Sequence, residues 1–126
     1  MMKLSNVIYV RNLINKKSSE TLSFAVAYKF LQFIKSTEDA ESFYNSKRKE
    51  IVEIFALKDD NGSFIVDDKN CYTFNTESND KMCRELLELA NTEIDIPDTI
   101  KFKKSELENL NFTIEEVFYL DELIKD

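Results

Sequence analysis

The chain has 126 residues, 43% of them apolar and ten of them Phe, which suits one domain with a packed core. It has no His, a single Gly (Gly62) and a single Pro (Pro97), which removes the commonest general base and metal ligand and every Gly-rich phosphate loop. The net charge of −7 is unevenly spread: residues 1–58 carry ten basic and six acidic side chains, residues 59–126 carry seven and eighteen, and such acidity disfavours binding to nucleic-acid backbones.

Residues 5–15 read as a helix capped by Ser5, with Val7, Val10 and Ile14 on one face, although their β-branched content argues for a strand. Residues 20–57 are the dominant element. Leu22, Val26, Phe30, Phe33, Thr37, Ala40, Tyr44, Arg48, Ile51 and Phe55 recur at steps of three and four. Phe24, Tyr28, Leu31 and Ile34 supply a second apolar face to the first half, so that half is expected to lie between two neighbours. The polar second half projects toward solvent. Unbroken, this helix of about 38 residues would reach roughly 57 Å, a length that implies a partner or an oligomer. A capping box of Ser36 and Asp39 would instead break it near Lys35.

No internal repeat and no low-complexity segment is evident. The expected single domain, residues 1–126, divides at Lys58–Ser63 into a helical half, 1–58, and an acidic α+β half, 59–126. Residues 59–74 predict a β-hairpin, with turns at Asp60-Asn61-Gly62 and Asp67-Asp68-Lys69-Asn70. A helix follows from Thr76 or Ser78 to about Asn91, apolar at Met82, Cys83, Leu86, Leu87 and Ala90. Residues 93–103 alternate as a half-buried strand, with Ile94, Ile96, Ile100 and Phe102 inward and Pro97 at an edge or bend. Ser105 caps a short turn. Thr113 and Glu116 form a capping box for a last helix with Ile114, Val117, Leu120 and Ile124 on one face. The expected class is α+β: a long helix and two or three shorter ones with a small antiparallel hairpin or sheet.

Candidate chemistry is sparse. Cys71 and Cys83 form no CxxC pair and read as free, reduced thiols, with Cys83 in a core, which fits a cytoplasmic protein. The turn around Gly62 is similar to a calcium loop, but Leu57 then falls at the first ligand position and Asp68 at the last. Adjacent carboxylates point to different sides of an element and make no catalytic dyad. The basic run Lys47-Arg48-Lys49 fans around roughly 200° of a helix and makes no phosphate clamp. No catalytic residue, cofactor or metal is expected. No run approaches the ~18 apolar residues of a membrane span, and Val7–Val10 is too short for a signal-peptide core. Phe24, Tyr28, Phe118 and Tyr119 exceed what one core face needs and are candidate interface aromatics.

Several stretches together resemble a family of short proteins encoded by phages and prophages of Gram-positive bacteria. They are Met2-Lys3-Leu4-Ser5-Asn6, Leu22 through Phe33, Lys58-Asp59-Asp60-Asn61-Gly62, Leu86 through Ile94, and Ile114 to Ile124. Unlike that family, this chain has no Pro between Lys16 and Ser23. The resemblance implies a viral accessory or virion-related protein in a bacterial cytoplasm and carries over no catalytic residue.

The expected function is non-enzymatic. An acidic face would occlude a basic surface of a host protein, such as part of a defence or regulatory complex. Its contacts would be Asp59, Asp60, Asp67, Asp68, Glu115, Glu116, Asp121 and Glu122, with the four aromatics above. The alternative is a phage structural or assembly factor that forms homo-oligomers through residues 20–57.

Overall fold

The computed structural model describes residues 1–125. It is mostly helical with one small two-stranded antiparallel sheet, the α+β class expected. The strands are β1 (Met2–Lys3) and β2 (Glu93–Ile94), with Met2 opposite Ile94 and Lys3 opposite Glu93. The helices are α1 (Leu4–Lys17), α2 (Phe24–Ser36), α3 (Glu38–Phe55), α4 (Thr76–Ala90), α5 (Lys104–Leu107) and α6 (Ile114–Leu120). Single 3₁₀ turns occupy Asp98–Ile100 and Asp121–Leu123.

The chain forms two compact units, residues 1–41 with 93–125 and residues 42–92. The division falls within α3, after Glu41.

The first unit holds the main core. In α1, Leu4, Val7, Val10, Leu13 and Ile14 are buried at helical spacing. The helix begins after an extended Lys3 with no side-chain cap, so Ser5 lies inside the first turn rather than at the cap. In α2, the Ser23 hydroxyl accepts the Val26 amide and Val26, Phe30 and Phe33 turn inward. They meet Ile100, Phe102, Leu107, Leu120 and Leu123 from the C-terminal segment. Phe30 and Phe102 pack edge to face, with centroids 5.3 Å apart.

Residues 20–57 are two helices, not one long one. The break is at Thr37, fully buried, where φ −110° and ψ 8° leave the helical well. The Thr37 hydroxyl donates to the Phe33 carbonyl at 2.6 Å. Arg11 of α1 donates to the Ile34 carbonyl and to Thr37 Oγ1, each at 2.7 Å, and pairs with Glu41 at 2.6 Å. Side-chain bonds to terminal carbonyls compete with continued helix. The Ser36 hydroxyl, expected in a capping box with Asp39, instead donates to the Phe33 carbonyl at 3.1 Å, and a guanidinium from another helix bonds acceptors at the end of α2.

Residues 93–103 point their apolar side chains inward as the alternation predicts, but only Glu93–Ile94 is strand. Pro97 opens the 3₁₀ turn, and Phe102 then makes a parallel bridge to Ile124. Thr113 and Glu116 form the expected capping box. The face of α6 is rotated from expectation. Glu116 and Leu120 are buried, while Ile114 is 92% exposed.

In the second unit, residues 59–74 form two tight turns with isolated bridges, Lys58–Phe64 and Val66–Tyr72, instead of a continuous hairpin. The turns are copies of each other eight residues apart, a short internal repeat where none was expected. Asp59 Oδ1 accepts the amides of Asn61 and Ser63; Asp67 Oδ1 accepts those of Lys69 and Cys71. Gly62 (φ 80°) and Asn70 (φ 62°) take the same left-handed position. Phe64 and Tyr72 pack with centroids 4.6 Å apart. The amide of Ile65 donates to Leu57, that of Thr73 to Ile65, and that of Leu57 back to Thr73, closing a ring of three backbone hydrogen bonds.

A third copy starts but becomes α4. Asn75, at the Asp59 and Asp67 position, caps the helix instead, with Ser78 returning a bond. In α4 the buried residues are Met82 and Leu89; Leu87 and Cys83 are exposed, so Cys83 is not a core thiol.

Candidate protein-binding faces

Two helices of the first unit are apolar on both sides, and in each only one side is buried. On α2, Val26, Phe30 and Phe33 face the core, whereas Phe24, Tyr28 and Leu31 are exposed. The last three lie at i, i+4 and i+7, one stripe of a helix. The expected second neighbour of α2 is thus not supplied within the unit. Phe24 is 82% exposed and stacks on Tyr28, with centroids 5.7 Å apart. Beside the stripe, Ile14, Leu22, Ala27, Phe30, Leu31 and Ile34 line a cavity of about 310 Å³.

On α6, Leu120 faces the core, whereas Ile114, Val117 and Phe118 are exposed. Phe118 is 70% exposed and packs edge to face on Tyr119, which is half-buried and stacks on Tyr9 at 3.9 Å. Val117 and Leu120 also border a cavity of about 270 Å³ with Leu107, Leu110, Phe112 and Ile124; Lys104 and Glu108 complete its lining. The sequence pattern puts Ile114 and Val117 in the core and gives no sign of this groove. The buried Glu116 and Leu120 mark the side of α6 that faces inward.

The acidic candidates have different circumstances. Glu115, Asp121 and Glu122 are exposed beside the α6 face. Glu116 is only 6% exposed and is committed to the fold. It accepts the Thr113 amide at 2.8 Å and Lys16 at 3.3 Å. Its carboxyl is held below the usual range, chiefly by that amide and also by Lys16. Burial, followed by the neighbouring Glu115 and Glu116 carboxylates, raises the Tyr9 hydroxyl above its ordinary value.

Asp59, Asp60, Asp67 and Asp68 belong to the second unit's turns and are exposed. Asp59 and Asp67 each spend one oxygen on their own turn. The basic run is exposed on α3, where Lys47 pairs with Glu50 at 3.6 Å.

Two further cations hold the first unit together. Lys17 is buried, donates to the Asn111 carbonyl and lies 5.1 Å from the centre of the Phe112 ring. Lys29 donates to the Lys101 carbonyl at 2.9 Å and to Glu106 at 2.7 Å. The Lys103 amide, then Lys29, lowers the Glu106 carboxyl below its ordinary range. Among the described residues, no helix is long and apolar enough to cross a membrane, and no cluster of three or more His, Cys, Asp or Glu could hold a metal ion.

Comparison with protein families, curated proteins and solved structures finds no match to this chain.

Proposed function

We propose that this chain acts by binding another protein, without catalysis of its own. The observation that carries the reading is the α6 face, where Ile114, Val117 and Phe118 stand in solvent next to an apolar groove. Large exposed apolar side chains grouped with a groove are the usual anchors of a protein interface. Glu115, Asp121 and Glu122 beside them favour a partner with a basic rim. Together with the resemblance to phage-encoded proteins, this supports an inhibitor that covers a basic surface of a host complex. The assembly-factor alternative loses one support, because the overlong helix that suggested it is broken at Thr37.

The test is affinity capture from bacterial lysate with the tagged wild type and Phe118→Asp as parallel baits, at low and high salt. A protein retained by the wild type, lost from the variant and released by salt is the expected result. Identical captured sets for both baits would overturn the reading.

A further inference from the structure

We infer that Tyr9 and Tyr119 form an oxidative cross-linking site, where loss of one electron from each ring joins them as a dityrosine that clamps α1 to α6. The two rings come from opposite ends of the sequence but from the same unit. They stack with centroids 3.9 Å apart and planes inclined by 26°. At that separation the carbons of one ring touch the face of the other. Among the described residues, the other tyrosines in ring contact pack on phenylalanine: Tyr28 on Phe24 and Tyr72 on Phe64. Phenylalanine has no hydroxyl and cannot form a phenoxyl radical. The chain has no Trp to give up an electron in place of the tyrosines. Both rings are half-buried, and Tyr9 borders a surface cavity of about 240 Å³ that a small oxidant can enter.

The co-reactant is hydrogen peroxide acting through a haem peroxidase. Each phenol loses one electron and its hydroxyl proton, and the peroxide takes up two electrons and two protons to become two waters. The unpaired density of each phenoxyl radical extends to the carbons ortho to its oxygen. An ortho carbon of Tyr9 bonds to an ortho carbon of Tyr119. The hydrogens on those two carbons then move to the oxygens, which restores both phenols. Rings already held face to face need no diffusional encounter for this step. The bond closes a loop that contains the whole second unit, and a cross-link across a long loop stabilises chiefly by restricting the unfolded chain. It also fixes α6 in place. The site needs no partner protein and does not depend on the proposed function.

The test treats the full chain, at low micromolar concentration, with hydrogen peroxide and a haem peroxidase. Cys71 and Cys83, both exposed, are first capped with iodoacetamide. The monomer should gain the blue fluorescence of dityrosine. Its digest should contain the Tyr9 and Tyr119 peptides joined, two hydrogen atoms lighter than their sum. The urea midpoint of the oxidised monomer should rise. Tyr9→Phe and Tyr119→Phe should each lose the monomer's fluorescence, whereas Tyr44→Phe should keep it. Circular dichroism checks that the variants fold, and the wild-type peptide map stands without them. A wild-type monomer lacking the joined peptides, cross-links confined to dimers, a Tyr9→Phe or Tyr119→Phe monomer that keeps the signal, or an unchanged urea midpoint would each overturn the inference.

Discussion

Arg11 and Glu116 are buried charged side chains, and each is retained by several bonds. Arg11 lies on the buried stripe of α1 between Val10 and Ile14 and ties α1 to the break between α2 and α3. A buried cation with fewer partners would cost several kcal/mol. A cation on an apolar stripe was readable in the sequence; its acceptors, 23 and 26 residues away, were not. Glu116 adds a pH dependence. Its folded carboxyl titrates below the usual value, so as pH falls the unfolded chain takes up its proton first. The stabilisation is present above the unfolded value and is lost as pH falls through the lower folded value. Denaturant midpoints measured from pH 7 to pH 3 should fall less steeply for Glu116→Gln than for the wild type. Equal slopes would show that Glu116 contributes nothing to acid sensitivity. Glu106 acts in the same direction.

Among the elements, the repeated turns are written in the sequence in a form that a hairpin imitates. Asp-Asp recurs at 59 and 67, and an aromatic recurs at 64 and 72. A hairpin makes the β-rich run Phe64-Ile65-Val66 a strand, but each copy gives only single bridges before the chain turns again. Asn70 and Gly62 occupy equivalent left-handed positions. Replacing Asn70 with Gly should leave stability nearly unchanged. Asn70→Val should cost about 1–2 kcal/mol, because a β-branched residue is disfavoured there. Thermal denaturation compares the two, and equal melting temperatures would show that the turn conformation does not matter. The capping box at Thr113 and Glu116 was legible because it is local. The orientation of α4 and α6 was not. Each helix carries apolar residues on two sides, and the side that is buried depends on elements distant in the sequence.

Across the whole molecule, burial is uneven. The main core cluster lies entirely in residues 1–41 and 93–125, whereas α3 has no buried residue. Amide exchange should therefore be slower in α1 and α2 than in the later turns of α3, whose opening exposes less apolar surface to water. Phe33 and Phe118 make the parallel comparison. Phe33 is fully buried and Phe118 is not. Phe33→Ala should cost about 3–5 kcal/mol and Phe118→Ala no more than about 0.5 kcal/mol. A large loss from Phe118→Ala would place that ring in the fold rather than at an interface. Composition was enough to indicate a packed core, since ten Phe need one. It could not show that the chain forms two units, because the first is assembled from both ends.

The ring through Leu57, Ile65 and Thr73 constrains the length of the chain. Three backbone bonds that return to their origin behave like a counted loop, with eight residues on each of its two turn arcs. An inserted residue in either arc moves the next donor out of phase, and the closing bond from Leu57 is then lost. Removing a whole arc keeps the phase but leaves two members where three are needed. The stretch from Leu57 to Thr73 therefore tolerates substitutions at its exposed tips far better than any change in its number of residues, unlike most surface loops.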